Sequence, residues 1–387
     1  MSRLLRNTVL GCAAYMGILS LTFAAVPNPP KDLCIEGTKK CAGPAAKGGG
    51  VKWHPGHYVL GTQVDKLDTA GIREIGPIDS VVGWEQLVSW AKIEPSRGKY
   101  DWSFIDAALA ECERNGKRLV IQVLDRSFSG TSSGRLPSYL ASEPGGGGGW
   151  YVKPTGGVMA KLWLPAIMDR LIALYQAMGK RYDSEPYFEG VFTAESDPGF
   201  GTGPSDYSPQ AYVAQLYRLN SSLAGDFQHT NRWLSVNFVP TGQAAVAALI
   251  ANAHDSRVGI SGPDAITGSN PDNSDWGTRT LKGMKWSGGS WVSGGKDYRG
   301  AIAIAHDVES PELGGKEGGF TVDQIYNQSY NFNGDSHLFW ERKDYKVSKG
   351  THADLMWSTD ILPYLKKGNK PTRNACPSSY KEGCNPN

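Results

Sequence analysis

From about residue 53 onward, the apolar side chains alternate between two spacings. Dense or alternating runs predict strands at 57–64, 81–90, 118–124, 187–193, 233–239, 258–260, 301–307 and 336–340. Between most of them the spacing becomes helical. The segment 103–115 places Phe104, Ile105, Ala108, Leu109 and Cys112 on one face and is stopped by Gly116. The segment 162–181 does the same with Leu164, Ile167, Leu171, Leu174 and Met178, and helices are also predicted at 209–223, 244–253, 321–330 and 353–366. Eight strands separated mostly by helices imply a parallel sheet, and eight parallel strands close into a barrel. The fold class is therefore α/β, a single (β/α)8 TIM barrel. The stretch 262–298, rich in Gly, Ser, Asn, Asp and Trp, shows no clear helix and reads as a long βα loop carrying Trp276, Trp286 and Trp291.

The ends of the chain read differently. Arg3 and Arg6 precede an apolar run from Val9 to Phe23, then Ala24 and Ala25, an order that marks residues 1–25 as a secretory signal. Cys12 lies too early in that run for a lipoprotein cleavage site. Residues 26–52, mostly Pro, Gly, Lys and Ala, read as a flexible tether, residues 53–370 as the barrel and 371–387 as a tail. An exported chain, secreted or periplasmic, is free to form disulfides. Cys34 with Cys41 and Cys376 with Cys384 are the favoured local pairs, with a staple between the two ends as the alternative. Cys112, on a predicted helix, reads as a small buried side chain.

Composition narrows the function. A formal charge of +2 without a basic cluster argues against a nucleic-acid partner; the N-terminal apolar run is too short and interrupted for a membrane span, and no other stretch is long and apolar enough. The seven histidines show no paired ligand spacing, so neither a metal nor another cofactor is expected, and a monomer suffices. The chain has 12 Trp, 17 Tyr and 48 Gly, which suits long shaped loops presenting flat apolar platforms, the surfaces on which sugar rings stack.

In a barrel of this kind, chemistry is carried just past the C-terminal ends of the strands. After the second strand runs Trp90-Ala-Lys-Ile-Glu94-Pro95-Ser-Arg-Gly98-Lys-Tyr100-Asp101-Trp102-Ser-Phe-Ile-Asp106, after the third Asp125-Arg126, and the fourth ends Phe192-Thr-Ala194-Glu195. The pattern W-x-x-x-E-P-x-x-G-x-Y-D-W-x-x-x-D at 90–106, together with the helix, Gly179-Lys-Arg-Tyr182-Asp183 and strand that lead to Glu195, resembles the clan A retaining glycoside hydrolases. The resemblance is specific over about residues 82–200. It implies an enzyme cleaving glycosidic bonds of a poly- or oligosaccharide, with an acid/base glutamate ending strand four, here Glu195, and a nucleophilic glutamate ending strand seven. Ala194 stands where the clan carries an Asn that binds a sugar hydroxyl, and Asn237 past strand five is a candidate replacement.

For the nucleophile, strand alternation puts residues 301, 303, 305, 307 and 309 on one face, so Asp307 and Glu309 both point toward the site. Glu309 matches the residue type that the resemblance implies, Asp307 is the alternative, and Glu341 past strand eight stands behind them. Two carboxyls are needed because one must donate a proton to the leaving oxygen while the other stays ionised to meet the sugar carbon. Candidate substrate contacts are Trp340, Asn237, Asp264, Asp125, Arg126, His306 and Trp150. Each has a plainer reading: a core indole for Trp340, an internal ion pair for Asp125 and Arg126, a rim histidine for His306. Long aromatic loops favour endo action. The alternatives are a lyase or transglycosylase on the same scaffold, or a glycan-binding barrel without catalysis.

Overall fold

The computed structural model describes residues 49–127, 134–143, 148–153, 156–199, 203–237, 239, 242–263, 265, 275–287, 290–308, 320–344, 356–368 and 375–386. Eight parallel strands form a closed barrel: β1 (Gly56–Gly61), β2 (Val81–Ser89), β3 (Arg118–Leu124), β4 (Phe188–Thr193), β5 (Asn231–Ser235), β6 (Gly259–Gly262), β7 (Ile304–Val308) and β8 (His337–Glu341). They pair in sequence order, and β8 returns to β1 with Phe339 opposite Tyr58. A helix follows each strand: α1 (Thr69–Ile75), α2 (Ser103–Arg114), α3 (Pro165–Tyr182), α4 (Pro209–Asp226), α5 (Gln243–Ser256), α6 (Asp275–Leu281), α7 (Val322–Asn327) and α8 (Leu362–Lys366).

Local chemistry sets the helix starts. The Asp68 carboxylate accepts from the Gly71 amide to begin α1, Ser208 caps α4 ahead of Pro209, and Thr321 with Gln324 forms a capping box on α7. The segment expected to be one unbroken loop, 262–298, contains α6 and then a hairpin, Met284–Ser287 with Ser290–Ser293. Trp291 lies on that hairpin, with the Arg279 guanidinium 5.8 Å from its ring. The hairpin belongs to the connection from α6 to β7, and such connections lie at the floor of a barrel rather than its mouth. Trp291 is therefore not a substrate platform.

The barrel is filled by Tyr58, Leu60, Val120, Phe192, Trp233, Ala303, Ala305 and Phe339. Bulk on one strand is matched by its absence on the next. Trp233 on β5 lies between Gly190 on β4 and Gly259 on β6, and a Cβ at either glycine would overlap the indole. On β7 the two alanines face inward, as alternation requires, and Ile304 and His306 lie on the other face.

The expected tether is structured at its end. Val51–Lys52 pairs in parallel with Cys384–Asn385, and the Cys376–Cys384 disulfide closes the tail loop. Val51, Trp53 and Tyr380 are buried against the barrel, so the end of the tether and the tail together seal the floor. Cys34 and Cys41 lie outside the described residues; Cys112 is buried in α2, as expected.

Candidate active site

At the C-terminal mouth of the barrel is a cavity of about 260 Å³. Leu60, Thr62, Val64 and Leu87 come from the β1 and β2 side, Gln122, Leu124 and Arg135 from β3 and its loop, and Ser235, Ser261, Gly262 and Pro263 from β5 and β6. Three carboxylates complete the wall: Glu195 just past β4, Asp307 on β7 and Glu341 at the end of β8. Asp307 and Glu341 are each 8% exposed. Their placement follows from strand alternation: Ala303, Ala305 and Asp307 share the inner face of β7, and Phe339 and Glu341 that of β8.

Glu195 is held from one side. Asn237 Nδ2 donates to Glu195 Oε2 at 2.8 Å. The Asn237 side chain is itself fixed, because its Oδ1 accepts from the Ser196 amide at 2.9 Å. The Ser196 hydroxyl donates to the Asn237 carbonyl at 2.7 Å and accepts from the Asn237 amide at 2.9 Å. Every group of this short clasp is buried apart from the carboxylate it orients. Ala194 lines the cavity beside it. Asn237 thus engages the Glu195 carboxylate directly.

Other expected contacts are redirected. Trp340 is fully buried on the outer face of β8, where its indole donates to His57 Nδ1 at 3.0 Å and lies against Tyr364 of α8. It is not under the cavity, because the neighbouring positions 339 and 341 take the inner face. His306 is likewise turned outward: Nδ1 is 2.6 Å from Asp335 and Nε2 is 3.5 Å from Thr278 of α6. Arg126 donates through Nε to Asp125 at 2.7 Å and through a second nitrogen to the Asp197 carbonyl. That buried pair braces the turn two residues past Glu195 and does not line the cavity. Trp150 is half-buried on a hairpin, Trp150–Val152 with Val158–Ala160, that runs along the end of β3. Glu309 and Asp264 lie outside the described residues.

The structure adds groups that the sequence did not single out. Arg135 and Gln122 line the cavity. Lys153, at the hairpin tip, rests against Gly199 within electrostatic reach of Glu195. Burial and Arg126 lower its pKa against the opposing pull of Asp197 and Glu195. Gln122 had a signal, as the one polar residue among the inner strand positions of Leu-Val-Ile-Gln-Val-Leu. No group of three or more His, Cys, Asp or Glu able to hold a metal occurs among the described residues.

The strongest motif serves the scaffold. Glu94 is buried, accepts from the Trp90 indole at 2.8 Å and the Gly98 amide at 2.7 Å, and pairs with Arg170 of α3. Tyr100 stacks on Trp102, and Tyr182 donates to Asp106 at 2.7 Å. The motif ties the β2 loop to α2 and α3 and so packs the scaffold.

A closed (β/α)8 barrel with paired carboxylates at its mouth is the architecture of the glycoside hydrolases that the 90–106 motif resembles. Comparison supports that resemblance: the glycoside hydrolase 42 family model, described as beta-galactosidase, matches residues 82–139. No sequence among curated proteins matches the chain. Among solved structures, the catalytic domain of a beta-amylase from Paenibacillus polymyxa aligns at 12% identity and a TM-score of 0.51, covering 75% of this chain and 92% of that one. A beta-galactosidase from Bacillus circulans sp. alkalophilus aligns at 9% identity and a TM-score of 0.51 over 82% of this chain, which spans only 55% of its length. At these identities the likeness is one of fold.

Proposed function

We propose that this protein is an exported glycoside hydrolase that cleaves glycosidic bonds within a polysaccharide with retention of configuration, Glu195 serving as acid/base. The observation that carries the reading is the shared cavity: Glu195, oriented by Asn237, opens onto the same space as Asp307 and Glu341. Glu195 delivers its proton to the glycosidic oxygen as the bond to the anomeric carbon breaks, and a β7 carboxylate attacks that carbon from the other face. Water then takes the sugar, and Glu195, now ionised, accepts the water's proton. Negative neighbours suit this role, since they disfavour ionisation of the acid. For the attacking carboxylate, Asp307 has the observed position and Glu309 the residue type that the resemblance implies. Export is supported by the signal-like N-terminus and by the Cys376–Cys384 disulfide.

The test is reducing-end release across a panel of polysaccharides, with NMR of the first-formed anomer. Glu195→Gln is expected to lower kcat at least a hundredfold, roughly the contribution of a general acid. Wild-type rates in Glu195→Gln would overturn the assignment. Asp307→Ala and Glu309→Ala, each assayed with azide, separate the two nucleophiles: only loss of the true one yields a glycosyl azide.

A further inference from the structure

The cavity wall is electrically lopsided. Its carboxylates come from β4, β7 and β8, whereas the side formed by β1, β2 and β3 contributes Leu60, Thr62, Val64, Leu87, Gln122, Leu124 and one cation, Arg135. Arg135 lies past β3, beside the end of β2, and shares the cavity wall with Asp307. Its backbone is fixed, the carbonyl accepting from the Ala91 amide at 3.1 Å. Its guanidinium has no carboxylate within 4.0 Å among the described residues, whereas Arg126, Arg170, Arg181 and Arg218 are all paired. A guanidinium carries five donors in a planar fork that fits a carboxylate or a sulfate edge, and a neutral hydroxyl uses little of that capacity.

We propose that Arg135 is a specificity residue for an acidic glycan: the sugar bound on the β2–β3 side of the mouth carries an anionic group, a uronic carboxylate or a sulfate ester, that pairs with this guanidinium. Lys153 rests against Gly199 by the turn past β4, so Arg135 is the cation of the β1–β3 side of the wall. The proposal rests on the reading of this cavity as a glycan site but not on hydrolysis there.

Binding and cleavage are therefore measured separately. Titration calorimetry of the full chain carrying Glu195→Gln uses three probes of equal length: a galacturonate oligosaccharide, a sulfated galactan oligosaccharide and a neutral galactan oligosaccharide. One acidic probe is expected to bind about tenfold to a hundredfold more tightly than the neutral one, as a charge-assisted pair predicts, and to weaken as salt is added. Whichever probe binds identifies the anion as carboxylate or sulfate. Adding Arg135→Gln is expected to abolish the acidic-to-neutral preference and its salt dependence, and Arg135→Lys to restore part of both. Equal or tighter binding of the neutral probe, or a preference that survives Arg135→Gln, overturns the proposal. Cleavage of neutral glycans alone by the wild-type chain would leave the hydrolase reading standing and remove this one. Acidic binding without cleavage would do the reverse.

Discussion

At the scale of single residues, Glu195 is defined by what Asn237 does to it. The amide donates to the carboxylate at 2.8 Å and fixes its direction. Removing that donor in Asn237→Ala is expected to lower kcat/KM about tenfold, since the carboxyl loses its orientation. Steady-state kinetics check this, and an unchanged kcat/KM would show that the clasp is only structural. Glu195 itself was legible in the sequence because it ends an apolar run that alternation and the neighbouring motif had already placed. Asp307 was legible because the small–large pattern 301–306 fixed the inner face. Trp340 misled for the same reason in reverse: the eighth strand runs one residue further than its apolar run suggests, so Glu341, not Trp340, is the inward residue at its end.

Elements show where sequence patterns lose their hold. The helices α2, α3 and α4 were visible as apolar faces over 12 to 18 residues, and β3 stood out as an apolar run broken after Arg118 only by Gln122. The seven-residue α6 was not, because two turns between Gly-rich flanks carry too little periodicity to register. Close approach between elements was also hidden. Gly179, inside α3, faces the Asp226 carbonyl at the end of α4, and a Cβ there would overlap it. Helix propensity alone predicts that Gly179→Ala stabilises by up to about 1 kcal/mol. The packing predicts the opposite, a loss of about 1–3 kcal/mol as the two helices are forced apart. Urea denaturation decides between the two signs.

For the whole molecule, the floor matters as much as the mouth. Glu189 is fully buried there, its Oε2 2.7 Å from His54 Nδ1, its Oε1 accepting from Asn231 at 2.9 Å, and Arg118 3.7 Å away. Burial alone would raise its pKa, yet His54, His337 and Arg118 hold it well below the usual carboxylate range. A depressed carboxylate contributes stability that is complete above its unfolded pKa of about 4.3 and is lost as pH falls toward the folded value. Glu189→Gln is therefore expected to be less stable than wild type by about 3 kcal/mol at pH 7. The gap should narrow below pH 4, which denaturation curves at the two pH values would reveal. Replacing both Cys376 and Cys384 by Ser should cost roughly 2–3 kcal/mol of unfolding free energy for so short a loop. That loss should appear as a lower Tm, with the activity of the folded fraction unchanged, because the bridge lies at the far end of the barrel from the cavity.

The parallel pairing of Val51–Lys52 with Cys384–Asn385 has a practical corollary. The described chain enters and leaves by adjacent strands beneath the barrel, with Val51 opposite Cys384. A fusion partner or bead joined directly ahead of Gly49, in place of residues 1–48, grips the molecule by its base. An immobilised preparation would then present its opening uniformly to a soluble or fibrous substrate, which random coupling through surface lysines would not achieve.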